Sequence, residues 1–186
     1  MQRSFESTRL LFVKGDDDKA FYNGLKSGLE LSNSDIEVIP YNGKDKLRSW
    51  LKAHSELSAF ERVNALAVVR DADISPDNSH ASVRGALGTI FDPAPSAHME
   101  FQESTLRSES PLQGQKISST ILILPGRSRQ GELQDLLLDA IDDEATMACV
   151  NEYMKCLESK NIPIQKPAKT RLQSYLATRE KADAGL

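Results

Sequence analysis

The chain has 186 residues, 39% of them hydrophobic and 27% charged, with a net charge of −4. This balance fits one globular domain with an ordinary core and excludes a disordered or fibrous chain; the acidic total argues against a protein that coats nucleic acid through bulk charge. No apolar run approaches the roughly 20 residues that span a bilayer, and the opening MQRSFESTRL lacks the apolar core of a signal peptide, so a cytoplasmic protein without membrane contact is expected.

In chain order, Arg9-Leu-Leu-Phe-Val13 predicts a buried strand stopped by Lys14-Gly15. Asp16-Asp-Asp18 follows, carboxylates where a helix start favours them, and Ala20, Phe21, Leu25 and Leu29 continue at helical spacing. A second strand is expected at 36–39. Asn42-Gly43 then turns into a helix carrying Leu47, Trp50 and Leu51. Ala65-Leu-Ala-Val-Val69 reads as a third strand, ending in Arg70-Asp-Ala-Asp73, with a helix from Pro76 carrying Val83, Leu87 and Ile90. Residues 92–119 are polar and rich in Ser and Pro, and are expected to be a functional loop or a mobile insertion. Ile121-Leu-Ile-Leu124 is the fourth strand. A helix follows Gly131 with Leu133, Leu136, Leu137, Ala140 and Ile141 on its apolar side, and 144–159 and 168–181 read as two more helices.

Strands that are apolar throughout are covered on both faces, so the expected fold class is α/β, a mainly parallel sheet between helix layers with a C-terminal helical extension. Right-handed crossovers bring the strand C-terminal ends to one edge, where ligands of open α/β sheets gather. Lys14, Asp71, Asp73 and the 125–131 loop are expected there as neighbours. Cys149 and Cys156, seven apart, suit reduced, buried thiols, and neither they nor the three dispersed histidines have metal-ligand spacing. Charge is uneven. Lys155 to Leu186 holds seven basic and three acidic residues, a local +4, which leaves −8 on the rest.

Asp71-Ala72-Asp73 is the sharpest chemical feature. Two aspartates just past a buried strand can put hard oxygens on one Mg²⁺, with water and substrate phosphate completing the shell; the same residues also suit a turn. Asp16–Asp18 either supplies a third carboxylate or is a solvated helix start. Gly43-Lys44 and Gly126-Arg-Ser-Arg129-Gln-Gly131 enter helices at the same edge, so Lys44, Arg127 and Arg129 are either phosphate contacts or solvated loop charge. Neither segment has Walker A or dinucleotide spacing. The basic residues of the last helices, Lys166 and Lys169 among them, read as the wet side of an amphipathic helix or as a backbone contact to nucleic acid.

Four segments taken together resemble a Toprim domain, the catalytic module of topoisomerases, bacterial primases and related nucleases, and within it an uncharacterised Toprim-related group of prokaryotic proteins. They are Leu11-Phe-Val-Lys-Gly-Asp-Asp-Asp18, Tyr41-Asn-Gly-Lys-Asp45, Val68-Val-Arg-Asp-Ala-Asp73, and Ile123-Leu-Pro-Gly through Gly131 to Asp139; the tail from Lys166 to Arg179 is similar to that group as well. The resemblance implies a Rossmann-like single domain over 1–186, with a core at about 8–145 and a helical extension at 146–186. It also implies Mg²⁺ (or Mn²⁺) held by Asp71 and Asp73, with Asp18 nearby. The activity implied is that of a metal-dependent nuclease or other phosphodiester-processing enzyme acting on DNA or RNA.

This sequence departs from the Toprim pattern in two places. Lys14 stands where the resembled enzymes carry a glutamate that serves acid/base chemistry or metal binding, and Gln134 stands where the related group has a second one. An ammonium in place of a carboxylate repels a divalent cation, by about 4 kcal/mol per unit-charge contact at 4 Å and an effective dielectric of 20 before further screening. It is also a poor general base near neutral pH. Lys14 is therefore expected to pair with Asp71 or Asp73, or else Asp16, Asp17 or Glu132 restores the missing carboxylate. The corresponding functions are a weakened enzyme with Lys14, Asp71 and Asp73 in its catalytic set, and an inactive Toprim-like module binding a nucleic acid or a protein partner.

Overall fold

A computed structural model describes residues 5–91, 99–100, 105–112, 115–142 and 144–179, of which 99–116 are described by backbone alone. The elements are β1 (Arg9–Val13), α1 (Asp16–Gly28), β2 (Glu37–Pro40), α2 (Leu47–Ser55), β3 (Ala65–Asp71), α3 (Pro76–Leu87), β4 (Met99–Glu100), β5 (Thr105–Leu112), β6 (Gln115–Leu124), α4 (Leu133–Ile141), α5 (Ala145–Ser159) and α6 (Pro167–Leu176), with a 3-10 turn at Ser58–Arg62. The sheet order is β2-β1-β3-β6-β5-β4. The first four strands of that order are parallel, with Leu11 opposite Val38 and Ala67, and Val68 opposite Ile121. The fold is α/β with a mainly parallel sheet, consistent with a Rossmann-like arrangement.

Both faces of the parallel strands are covered, which accounts for their unbroken apolar sequence. One face carries Phe12, Ile39, Leu66, Val68 and Ile123, packed with Leu51 of α2 and Leu87 of α3. The other carries Val13, Val38, Val69 and Leu124 against Tyr22 of α1 and Leu133 of α4. A third cluster, Leu138, Met147, Val150, Leu172 and Tyr175, ties α5 and α6 to α4, so the C-terminal helices extend one flank of the sandwich. No helix among the described residues is long and apolar enough to cross a membrane.

Several expectations need correction. The segment 92–119 is not one long loop: Thr105–Leu112 and Gln115–Leu124 pair antiparallel as adjacent strands and widen the sheet. Residues 92–98, 101–104 and 113–114 lie outside the described residues. The apolar face of α1 is not the one its leucines suggest. Tyr22 and Lys26 are buried, whereas Leu25 and Leu29 are exposed. Lys26 lays its stem against the protein and donates its ammonium to Asn33 Oδ1 at 2.6 Å, which lets a charged residue take an inward position. In α4, Gln134 is buried and Leu136 exposed. Cys149 and Cys156 are both exposed thiols, because α5 turns Met147, Val150 and Met154 inward instead.

Candidate functional site

The parallel strands run in the order 2-1-3-4 when counted among themselves, so the direction of winding reverses between β1 and β3. In open α/β sheets the crevice for ligands opens beyond the strand ends at that reversal. Here β1 delivers Lys14 to it and β3 delivers Asp71. Two helices also start there with the same local device. At α1 the backbone N–H of Gly15 donates to Asp18 Oδ2 (3.0 Å), and at α4 that of Glu132 donates to Asp135 Oδ2 (2.8 Å). Each helix thus satisfies an entry N–H with its own carboxylate, in the part of the helix where negative charge is favoured.

Asp71 joins these parts. Its side chain is 8% exposed; Oδ2 receives a hydrogen bond from the Lys14 ammonium, and Oδ1 accepts the N–H of Leu133, the first residue of α4, at 3.2 Å. Both oxygens of this buried carboxylate have partners. The Lys14 pKa is raised: burial works against its charge as the largest single influence, and is outweighed by the Asp71 hydrogen bond and charge with help from Asp73 and Asp18.

Asp73 takes another direction. It adopts the left-handed region (φ 49°), and its backbone N–H and carbonyl exchange hydrogen bonds of 2.9 Å with Gly131. That exchange pins the turn after β3 to the turn before α4. Asp73 lines a neighbouring cleft with Gly131, Asp135 and Gln165, not the one that Lys14 and Asp71 line. Gly131 itself sits at φ 132°, and a Cβ there would approach Asp135 Oδ2 to 2.6 Å, so glycine is required on both counts.

The cleft at the reversal point has a volume of about 280 Å³ and includes Lys14, Asp18, Asp71, Glu132, Lys166 and Lys169. Burial raises the pKa of Asp18 and of Glu132, and the Asp71 charge adds to the rise in both. Lys169 of α6 ties the cleft's far wall to α1 by an ion pair with Asp17 at 2.7 Å. Lys166 and Lys169 were legible only as the basic excess of the tail, since nothing in their spacing says that α6 folds back onto the rim.

The three cations expected at phosphates do not form one cradle. Arg127 faces Asp77 at 3.5 Å, and Arg129 pairs with Asp139, one of its two contacts being 3.1 Å. Lys44 lines a separate cleft between α2 and α3.

Residues 8–186 match the model of a family described as "Protein of unknown function (DUF3226)". The chain belongs to the DUF3226 family. No curated protein and no solved structure matches it. The DUF3226 match runs from β1 through α6, so the rim and the helices that flank it fall within one family unit.

In this DUF3226 chain the expected metal ligands, Asp71, Asp73 and Asp18, do not present themselves jointly to an ion. Asp71 has both oxygens engaged, Asp18 gives one oxygen to Gly15, and Asp73 faces the neighbouring cleft. Among the described residues no three His, Cys, Asp or Glu side chains group so as to hold a metal. As arranged, Asp71, Asp73 and Asp18 do not offer Mg²⁺ a shared set of carboxylate oxygens.

Proposed function

We propose that this protein is a Toprim-like module that binds nucleic acid and does not hydrolyse it, with the Lys14 ammonium neutralising the rim where a divalent cation would otherwise be needed. The observation that carries this reading is the engagement of Asp71 on both oxygens, by Lys14 and by the start of α4. A carboxylate whose two oxygens already accept from an ammonium and a backbone N–H, and which is buried, is poorly placed to bind a metal, and Lys14 is held protonated, so it has no proton-accepting capacity near neutral pH. The exposed cations Lys44 and Arg48 of the cleft between α2 and α3 favour a phosphate-bearing partner over a protein.

A second reading, a metal-dependent phosphodiester enzyme using Mg²⁺ or Mn²⁺, is favoured by one observation. Asp18 and Glu132 are carboxylates with raised pKa values in a cleft at the sheet's reversal point, and perturbed groups so placed are frequent in active sites. Incubation with single- and double-stranded DNA and RNA in Mg²⁺ or Mn²⁺ separates the two. Salt-sensitive retention without cleavage is the expected result; cleavage that disappears in Asp71→Ala establishes the enzyme instead.

A further inference from the structure

A second cleft of about 330 Å³ opens between α2 and α3, lined by Lys44, Asp45, Leu47 and Arg48 on one side and by Ala81, Ser82, Gly85 and Ala86 on the other. Its charge differs from that of the rim cleft. Among the described residues the rim cleft sets three ammoniums against five carboxylates, whereas this one sets Lys44 and Arg48 against Asp45. Behind it lies Arg70, 6% exposed, which donates to the Lys44 carbonyl at 2.8 Å and leaves its buried Nε without a partner. That guanidinium adds a poorly hydrated positive charge beneath the turn.

The turn is also fixed in place, since Gly43 N–H donates to the Lys14 carbonyl (3.0 Å) at the end of β1. The α2 helix starts at its far side with no acidic residue in its first turn, unlike α1 and α4. Its N–H groups therefore add to the same positive field. Opposite, the Arg48 guanidinium reaches across the cleft to within 3.5 Å of the Gly85 carbonyl of α3, and beside it the Ser82 hydroxyl can donate. Among the described residues no aromatic side chain lines the cleft, so none of them stacks a base there.

We propose that the α2–α3 cleft is a phosphate-binding site, with Lys44 and Arg48 as its cationic contacts, taking a phosphate of a nucleic-acid backbone or, as the other source of the same chemistry, a free phosphate. The backbone assignment rests on the nucleic-acid-binding reading above; the phosphate site itself does not. Lys44 and Arg48 are exposed, so their removal leaves the core intact.

The test measures anisotropy of labelled single- and double-stranded DNA and RNA 20-mers between about 50 and 200 mM salt, and calorimetry with inorganic phosphate and pyrophosphate. The proteins compared are the full chain, Lys44→Ala, Arg48→Ala and, as a control on the same helix outside the cleft, Lys52→Ala. Each cleft substitution is expected to weaken oligonucleotide binding about tenfold and to lower the salt slope by about 1, with Lys52→Ala close to the parent. Oligonucleotide binding that is equal in all four proteins overturns the cleft assignment and leaves the binding reading standing. Binding of inorganic phosphate alone, lost with Lys44 or Arg48, supports the cleft and overturns the nucleic-acid reading. Failure of the parent protein to bind any of these probes overturns both.

Discussion

The Lys14 ammonium sits on Asp71 Oδ2 although 57 residues separate the two in sequence. Each arrives at the end of a central parallel strand, so the pair is a product of sheet order and not of local sequence. Asp71 contributes twice, as the counter-ion of Lys14 and as the acceptor for the first N–H of α4. The pair therefore belongs both to the charge balance of the rim and to the attachment of α4.

Lys14→Met keeps the apolar stem and removes the charge, leaving a buried Asp71 with one partner. A loss of about 1–3 kcal/mol in unfolding free energy is expected at neutral pH, by urea titration. The pH dependence has a definite sign. The folded-state pKa of Lys14 lies above its ordinary 10.5, so its contribution is full below 10.5 and disappears as pH rises through the folded value. The gap between parent and Lys14→Met should close in that alkaline range.

Glu132→Gln tests the acidic side of the same rim. Burial and the Asp71 charge raise the Glu132 pKa above 4.5, so its ionised form opposes folding. The folded state then binds more protons than the unfolded chain just above pH 4.5, and stability falls as pH rises through that window. The glutamine variant should be more stable than the parent at pH 7, by less than about 1 kcal/mol at this partly exposed position. It should show no advantage below pH 4.5. Chemical unfolding at the two pH values measures the difference.

Gly131→Ala places a Cβ 2.6 Å from Asp135 Oδ2 and asks alanine to adopt φ 132°. The hydrogen-bond exchange with Asp73 and the α4 entry should both be disturbed, at a cost of about 1–3 kcal/mol. A thermal melt should record the loss, while Gly24→Ala, in an open position within α1, should not destabilise.

The parallel strands, the helices between them and the convergence of Lys14 with Asp71 were legible because buried strands and their stops leave strong local marks. Val68 and Phe12 are completely buried, as an unbroken apolar run demands. The β5–β6 hairpin was not legible, since TLRSESPL and QKISS contain no apolar run that distinguishes a strand from a loop. The inward turn of Lys26 and Gln134 was hidden for a related reason: hydropathy ranks both as surface residues, and for Lys26 it is the bond to Asn33 that makes burial tolerable. Asp73 marks the limit of motif reading. The Asp-x-Asp spacing is present, yet Asp73, with its left-handed backbone tied to Gly131, lines the adjoining cleft and not the one that Asp71 lines.

Titration calorimetry with Mg²⁺ and Mn²⁺ on the parent protein and Lys14→Glu probes the central claim most directly. If the ammonium occupies the role of a cation on Asp71, the parent should bind either metal weakly, and Lys14→Glu, which adds a carboxylate beside Asp71 and Asp18, should bind at least about tenfold more tightly, a difference of about 1.4 kcal/mol. Tight binding by the parent, unchanged by the substitution, would contradict it.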